Sequence, residues 1–297
     1  MNLDQLTAFS FSHGSIRGAV VRSNQSFQDL TQQQGNQPEY PLFIKQLLGE
    51  MSAILLLMAS NLKICGSMNL QIRGSGFLYS AFTEVQLQAG ESLQIRGLAR
   101  RQDSAMPASL DLRDWVGPNA SLAITLSPKQ GRPYQGIVPL EHSQFTQCIE
   151  EYYQRSEQIP TYFWTQLQEH SCAALMVQHL PGAMPVEPAA HDNSPTMDMN
   201  TAQLLVNTLK PGELIETETS ILLYRLFHEY EVRVHDQMPI HYKCSCSRSR
   251  MEATLLSLSQ VELEDIASAN PIITMDCQFC GAHHDFNAAT LLIQDIP

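Results

Sequence analysis

Apolar residues recur along this chain at two different spacings, and the switches between them outline its elements. Residues 14–22, Gly-Ser-Ile-Arg-Gly-Ala-Val-Val-Arg, alternate well enough for a first strand. From about Pro41 to Leu62 the period becomes helical, with Leu42, Ile44, Leu47, Leu48, Met51, Ile54, Leu55 and Met58 on a common stripe. Pro41 suits the first turn of that helix. The most apolar run, Ile54–Met58, is short and flanked by polar residues, which fits a core helix and falls far below a membrane span. Alternation then returns. Leu70-Gln71-Ile72-Arg73-Gly74 recurs residue for residue as Leu93-Gln94-Ile95-Arg96-Gly97, and in both copies Leu and Ile share one face. Two similar strands of one sheet explain the repeat, with a third strand over Phe77–Gln88 between them. Ser121–Leu126 and Tyr134–Val138 read as further strands. Ser143–Ser156 reads as a helix with an acidic face, stopped by Ile159-Pro160. Thr161–Leu167 and Ala173–Leu180 complete a mixed α+β domain of antiparallel sheet with helices packed on it.

The pattern changes at Pro181. Residues 181–200 hold four prolines and no strong period, as in a linker. Helical stretches follow at about Thr201–Leu209 and Thr219–Glu229, the second with Leu222, Leu223, Leu226 and Phe227 on one stripe. Residues 186–236 are therefore apolar enough to bind something, although the pattern alone fits a plain interdomain helical hairpin slightly better. Near the C-terminus, Ser259 and Glu262 have the spacing of a capping box for a helix over Gln260–Ser268. Another helix is expected over Arg250–Leu258, short strands over Ile272–Met275 and Gly281–Asp285, and a last helix from Asn287 to Gln294. The expected division is an α+β domain over residues 1–183, a helical linker over 184–238 and a small C-terminal domain over 239–297.

Charge removes one class of partner. The 297 residues carry 18 basic and 30 acidic side chains, a formal net charge of −12. Phosphate backbones need basic surface, so nucleic acid is not expected as the main partner. The C-terminal region repeats the bias, with three basic residues against seven acidic ones in 241–297. The first residues lack a basic stretch followed by an apolar one, so no signal peptide is expected. Seven cysteines without a secretion signal fit a reducing, cytoplasmic setting and no membrane. Cys65, Cys148 and Cys172 stand alone and read as buried small hydrophobes.

The other four cysteines form two tight pairs, Cys244 with Cys246 and Cys277 with Cys280, the latter followed by Gly281. Four thiols in two pairs are what a tetrahedral Cys₄ zinc site requires, and Gly281 allows the chain to curl under the metal with positive φ. The second pair has ordinary zinc-knuckle spacing. The first is shorter than usual, and a disulfide closed across one intervening residue is strained and labile. Such a pair is equipped to hold zinc when reduced and to switch when oxidised. His241, His283 and His284 lie nearby, but four thiols already close the shell.

These motifs resemble those of the redox-regulated bacterial holdase chaperones, the 33-kDa heat-shock family. Tyr242-Lys243-Cys244-Ser245-Cys246-Ser247-Arg248 and Met275-Asp276-Cys277-Gln278-Phe279-Cys280-Gly281 are similar to its two zinc motifs, the second followed by Phe286-Asn287-Ala288. Tyr224–Glu229, Tyr134–Val138, Arg155–Thr161, Arg17-Gly18 and Arg96–Arg100 match as well, so the likeness spans nearly the whole chain. It departs at Gly74-Ser75-Gly76-Phe77, where the family usually has an acid and a proline. The resemblance implies one Zn²⁺ on Cys244, Cys246, Cys277 and Cys280 in the reduced state, and disulfides Cys244–Cys246 and Cys277–Cys280 with zinc release on oxidation. It further implies a metastable linker, a homodimer when active, and unfolding client proteins as partners rather than an enzymatic reaction. A thiol-disulfide oxidoreductase using Cys277 and Cys280 would need a βαβ setting that the pattern lacks. A nucleic-acid-binding zinc ribbon is opposed by the charge. No G-x-x-x-x-G-K-[ST] loop is present, so a chaperone here would hold clients without nucleotide.

Overall fold

A computed structural model describes residues 4–32, 39–62, 64–87, 92–180 and 195–294. The chain begins with two antiparallel strands, β1 (Gln5–Phe11) and β2 (Ile16–Ser23), in register from Gln5↔Arg22 to Ser10↔Arg17. Both faces of this pair are apolar. Leu6, Ala19 and Val21 point into one cluster, and Phe9, Phe11, Ile16 and Val20 into another. A sheet apolar on both faces must be covered twice. The buried Asp4 carboxylate accepts hydrogen bonds from the backbone N–H of Asn24, Gln25 and Ser26. It thereby starts α1 (Gln25–Thr31), since an anion suits the free N–H groups of a helix start.

The first cover is α2 (Leu42–Ala59), apolar around most of its circumference and buried without interruption from Met51 to Ala59. Its 18 residues, with mean hydropathy 1.7, are long and apolar enough to cross a membrane by length and composition. Yet 72% of the segment is buried inside the fold, so its apolar surface is spent on the core. The helix passes this test as a whole despite Lys45, Gln46 and Glu50, so the apolar segment is longer than Ile54–Met58, and Pro41 is its N-cap with ψ 150°, not part of its first turn.

An antiparallel meander follows: β3 (Gly66–Arg73), β4 (Leu78–Leu87) and β5 (Leu93–Arg101). The repeated pentapeptides fall in β3 and β5 on either side of β4, and Leu70, Ile72, Leu93 and Ile95 all pack in the cluster around α2. After α3 (Leu112–Val116), β6 (Ser121–Pro128) pairs with β3, and β7 (Tyr134–Pro139) pairs with β6. The helix expected to Ser156 stops as α4 (Phe145–Tyr152) and widens into a π-helical turn, Tyr153–Glu157, closed by Gln158 at φ 56°. β8 (Thr161–Leu167) and β9 (Cys172–His179) then pair with each other, and β9 also pairs with β2.

The segment after residue 195 supplies the second cover. Helices α5 (Met199–Val206), α6 (Glu213–Glu216) and α7 (Thr219–Phe227) place Val206, Leu214, Leu222, Leu223 and Phe227 against Phe9, Phe11, Val20, Leu175 and Val177. The Phe227 ring stands edge-on to Phe11 at 5.1 Å. Phe9 lies across Gly18 on the neighbouring strand, where an added Cβ would meet the ring at 2.1 Å, so that glycine makes room for the aromatic packing. Polar ties supplement the contact. The buried Arg22 guanidinium donates to the Ile215 carbonyl, Trp164 Nε1 donates to Asn207 Oδ1 at 2.7 Å, and Gln166 Nε2 to the Lys210 carbonyl at 2.8 Å.

β1 and β10 (Val232–Tyr242) have no counterpart among the sequence-based expectations. β10 pairs antiparallel with β1 from Gln5↔Pro239, then parallel with β5 over Ile240–Tyr242, and so joins two five-stranded halves into the order β7-β6-β3-β4-β5-β10-β1-β2-β9-β8. Most of the proline-rich stretch at 181–200 lies outside the described residues. The rest of the chain carries α8 (Arg248–Leu255), α9 (Gln260–Ala269), β11 (Ile272–Asp276), β12 (His283–Asn287) and α10 (Ala288–Gln294). Ser259 and Glu262 form the expected capping box on α9. By compactness, Tyr40–Tyr242 group with the N-terminal strands, and the residues from Lys243 onward form a second unit.

One α2 side chain opposes this packing. The Glu50 carboxyl accepts a hydrogen bond from Thr165 Oγ1 at 3.0 Å, and burial pushes its pKa up from 4.5 to about 7. The folded chain therefore holds this proton more tightly than the unfolded chain, and stability is lost as pH rises from 4.5 to about 7. Glu50→Gln removes the ionisation. In urea titrations the variant should be more stable than the wild type by about 2 kcal/mol at pH 8, with the gap closing toward pH 5.

Candidate metal centre

The second cysteine pair sits in the turn of a hairpin. β11 and β12 pair from Ile272↔Asn287 to Asp276↔His283, and Cys277 N–H continues the ladder by donating to the Ala282 carbonyl at 2.9 Å. Gly281 N–H returns to the Cys277 carbonyl at 2.7 Å. Gly281 has φ 66°, the left-handed conformation that its position after the pair predicted. The tight turn aims the backbone N–H groups of Cys280 and Phe279 at the Cys277 sulfur.

The first pair lies between β10 and α8. Ser247 caps α8 by accepting from Arg250 N–H, and Arg250 Nη1 reaches back to the Ser245 carbonyl at 2.7 Å, fixing the residue between the two thiols. Arg248 places its guanidinium over the Phe286 ring at 4.6 Å, which ties the start of α8 to β12. Asn287 Oδ1 accepts from Ala289 N–H and starts α10. Among these supports, Arg250 escapes sequence reading because its partner is a backbone carbonyl. Arg248 and Phe286 stand in motifs quoted above, but their contact requires the fold.

All four sulfurs, from Cys244, Cys246, Cys277 and Cys280, lie within 4.8 Å of one another. Cys244 Sγ is 3.6 Å from Cys277 Sγ, and Cys246 Sγ is 3.4 Å from Cys280 Sγ. A tetrahedral zinc with bonds of about 2.3 Å has sulfurs about 3.8 Å apart, so the donor set fits one such ion with little adjustment. The close contacts join members of different sequence pairs, as edges of a tetrahedron do. No disulfide is formed.

As thiols, these groups resist ionisation unevenly. Burial raises Cys244 and Cys246, and the neighbouring thiols add to the rise at Cys246. Burial also opposes ionisation of Cys277, but the N–H groups of Cys280 and Phe279 and the neighbouring thiols outweigh it and bring this thiol below its usual range. No histidine nitrogen belongs to the cluster among the described residues. The His283 ring nitrogen Nδ1 is hydrogen-bonded to Asp276 instead. The remaining cysteines stand apart. Cys148 and Cys172 are buried, and burial raises both thiols. Cys65 departs from the expected burial and is half-exposed, because it sits where the chain enters β3 and uses its carbonyl to bind Lys129 N–H.

The unit around this cluster has a small core: Leu255, Leu263, Ile273, Phe286, Ala288 and Leu291. Domains of this size rarely stand on apolar burial alone and use metals or disulfides as staples.

Comparison with known proteins agrees with this geometry. The family model described as "Hsp33 protein" matches residues 4–287. A protein named "33 kDa chaperonin" from Ectopseudomonas mendocina is 34% identical over 284 residues, covering 95% of this chain and 92% of its own. Its namesake from Shewanella denitrificans is 33% identical over 293 residues, covering 97% and 93%. Among solved structures, the 33 kDa chaperonin (heat shock protein 33 homolog) of Thermotoga maritima superposes with a TM-score of 0.78 over 98% of both chains at 19% identity, a likeness of fold.

Proposed function

The chain belongs to the Hsp33 chaperone family, and on that footing we propose that it is a redox-switched holdase, silent when reduced and active against unfolding proteins when oxidised. The observation that carries this reading is the clustering of Cys244, Cys246, Cys277 and Cys280 in a unit with so little apolar core. A zinc ion bound to these four thiolates would supply the cross-link that the core lacks, and structural zinc contributes roughly 10–16 kcal/mol to folding in small domains.

Each disulfide would form from two thiolates by the loss of two electrons, with two protons drawn from solvent. With peroxide as oxidant, these reduce one molecule to two waters per disulfide. The family resemblance assigns the pairing Cys244–Cys246 and Cys277–Cys280. Disulfide sulfurs are no longer thiolates, so the four residues lose their grip on the metal and the unit loses its main support. Whole domains are stable by only about 5–15 kcal/mol, so the C-terminal unit unfolds. Cys244 follows β10 by two residues, and β10 leads back through a short turn to α7. Disorder spreading along this path frees the linker helices and exposes Phe9, Phe11, Val20 and Leu175 beneath them. Apolar surface on that scale can hold an unfolding client. The three-part division at 1–183, 184–238 and 239–297 is thus functional: platform, cover and trigger. The active form is a homodimer, and the site of action is the cytoplasm. Cys277 and Cys280 occupy a hairpin turn, not a helix N-terminus in a βαβ setting, so although the turn lowers the Cys277 thiol, the setting does not favour the enzyme reading.

Metal analysis of purified reduced protein should give one zinc per chain, and Cys246→Ser should reduce zinc retention at least tenfold under mild chelation. Unchanged stoichiometry and affinity would overturn the ligand assignment.

Light scattering of a thermally unfolding client tests the switch. Peroxide-treated protein with mild heat should suppress aggregation without ATP, and the reduced zinc-loaded protein should not. Equal protection by both forms would sink the redox reading.

Hydrogen exchange locates the exposed surface. Amides in 201–229 should be protected in the reduced state and exchange quickly after oxidation. Leu222→Asp places a charge at a fully buried position and should give protection from aggregation without oxidant. Equal protection of these amides in both states while client binding switches on would make the segment a mere tether.

A further inference from the structure

Glu50 lines a cavity of about 470 Å³ between α2, β8, the loop before α3 and the start of α4. Its lining is mixed: Phe43, Leu47, Leu112, Phe145, Phe163 and Leu167 give an apolar wall, and Gln46, Ser143, Gln144, Thr146 and Thr165 a polar one. Leu110, 78% exposed, stands at the rim. Among the described residues Glu50 has one hydrogen-bond partner, the Thr165 hydroxyl, and no lysine or arginine meets it. The titratable groups facing it from the packed elements are the thiols of Cys148 on α4 and Cys172 on β9, both kept protonated by burial. A carboxylate is costly to bury without a cation, and here the cation is missing while space for one is present.

A cleft of this size, with an aromatic and aliphatic wall and one convergent charged group, has the form of a binding site. The geometry points to a pocket for client segments in which a lysine or arginine lies among apolar residues, the cationic head meeting Glu50 and the neighbouring side chains filling the aromatic walls. Charge complementarity selects this occupant over an acidic or purely apolar one, and the chain's net charge of −12 favours the approach of basic segments. β8 is the outermost strand of the sheet, and α4 packs along it, with the Glu150 carboxylate accepting from Phe163 N–H at 2.9 Å. The pocket is separate from the face that α5–α7 cover, whose buried side chains belong to a different cluster. The inference of a client-derived ligand rests on the holdase reading. The pocket's preference for a cation does not.

The test is fluorescence anisotropy with the full-length protein, reduced and oxidised. The probe is a labelled heptapeptide of leucine, phenylalanine and serine with one central lysine and blocked ends. Its control is the same peptide with that lysine acetylated. The lysine peptide should bind at least tenfold more tightly at pH 8. That margin should shrink several-fold at pH 6, where Glu50 holds its proton, and should vanish in Glu50→Gln. Equal affinity for the two peptides, or a margin that survives both Glu50→Gln and the lower pH, would overturn the assignment. The pH comparison needs no variant, so a folding defect in Glu50→Gln would not shield the proposal. A client-aggregation assay on the same samples separates the two readings. Lysine selectivity without client protection would leave the pocket standing and sink the holdase, and protection without selectivity would do the reverse.

Discussion

A sheet with two apolar faces governs this molecule. β1, β2 and β9 alternate side chains that are buried on both sides, and each side needs its own lid. The lid on one side is α2, continuous, long and surrounded by core, which makes it permanent. On the other side the lid is three short helices, 8, 4 and 9 residues long. Helices this short have little stability of their own and persist through tertiary packing. The same apolar surface that completes the fold is therefore covered on one face by short helices, the arrangement that the proposed holding function would draw on.

The proposed trigger is small, and that has a physical consequence. A unit with six buried apolar residues in its core among the described ones would respond to the state of four sulfurs, whereas a large core would absorb their loss. The hairpin turn at Cys277 and the Arg250 brace at Ser245 hold the sulfurs close enough to act as one ligand set. The preorganisation comes from backbone hydrogen bonds at the hairpin turn and from the Arg250 side chain at Ser245. Glu50 shows the opposite economy. It weakens the platform above neutral pH and gives a cleft in return, as residues kept against stability tend to do.

Much of this was legible in the residues. The zinc-type cysteine pairs, the positive φ of Gly281, the capping box at Ser259 and Glu262, and the paired strands of the repeated pentapeptide follow from rules that act over a few residues. Both the apolar stripe of α2 and that of α7 announced helices because their period is local. The alternating strands and helical stripes predicted the α+β class, and the family likeness rests on short stretches of the same kind.

Only the tertiary structure decided the rest. β1 reads as a mixed polar and apolar run because its two faces serve different clusters, so neither Phe9 nor Leu6 marks it as a simple amphipathic strand. β10, most of whose side chains are exposed, belongs to the sheet by backbone pairing with β1 and β5, and backbone pairing leaves no mark in residue type. The face that α7 covers, the meeting of Arg248 with Phe286, and the bond between Glu50 and Thr165 join residues far apart in the chain. Periodicity reports which side of an element is apolar; what that side touches is settled by the packing of the whole.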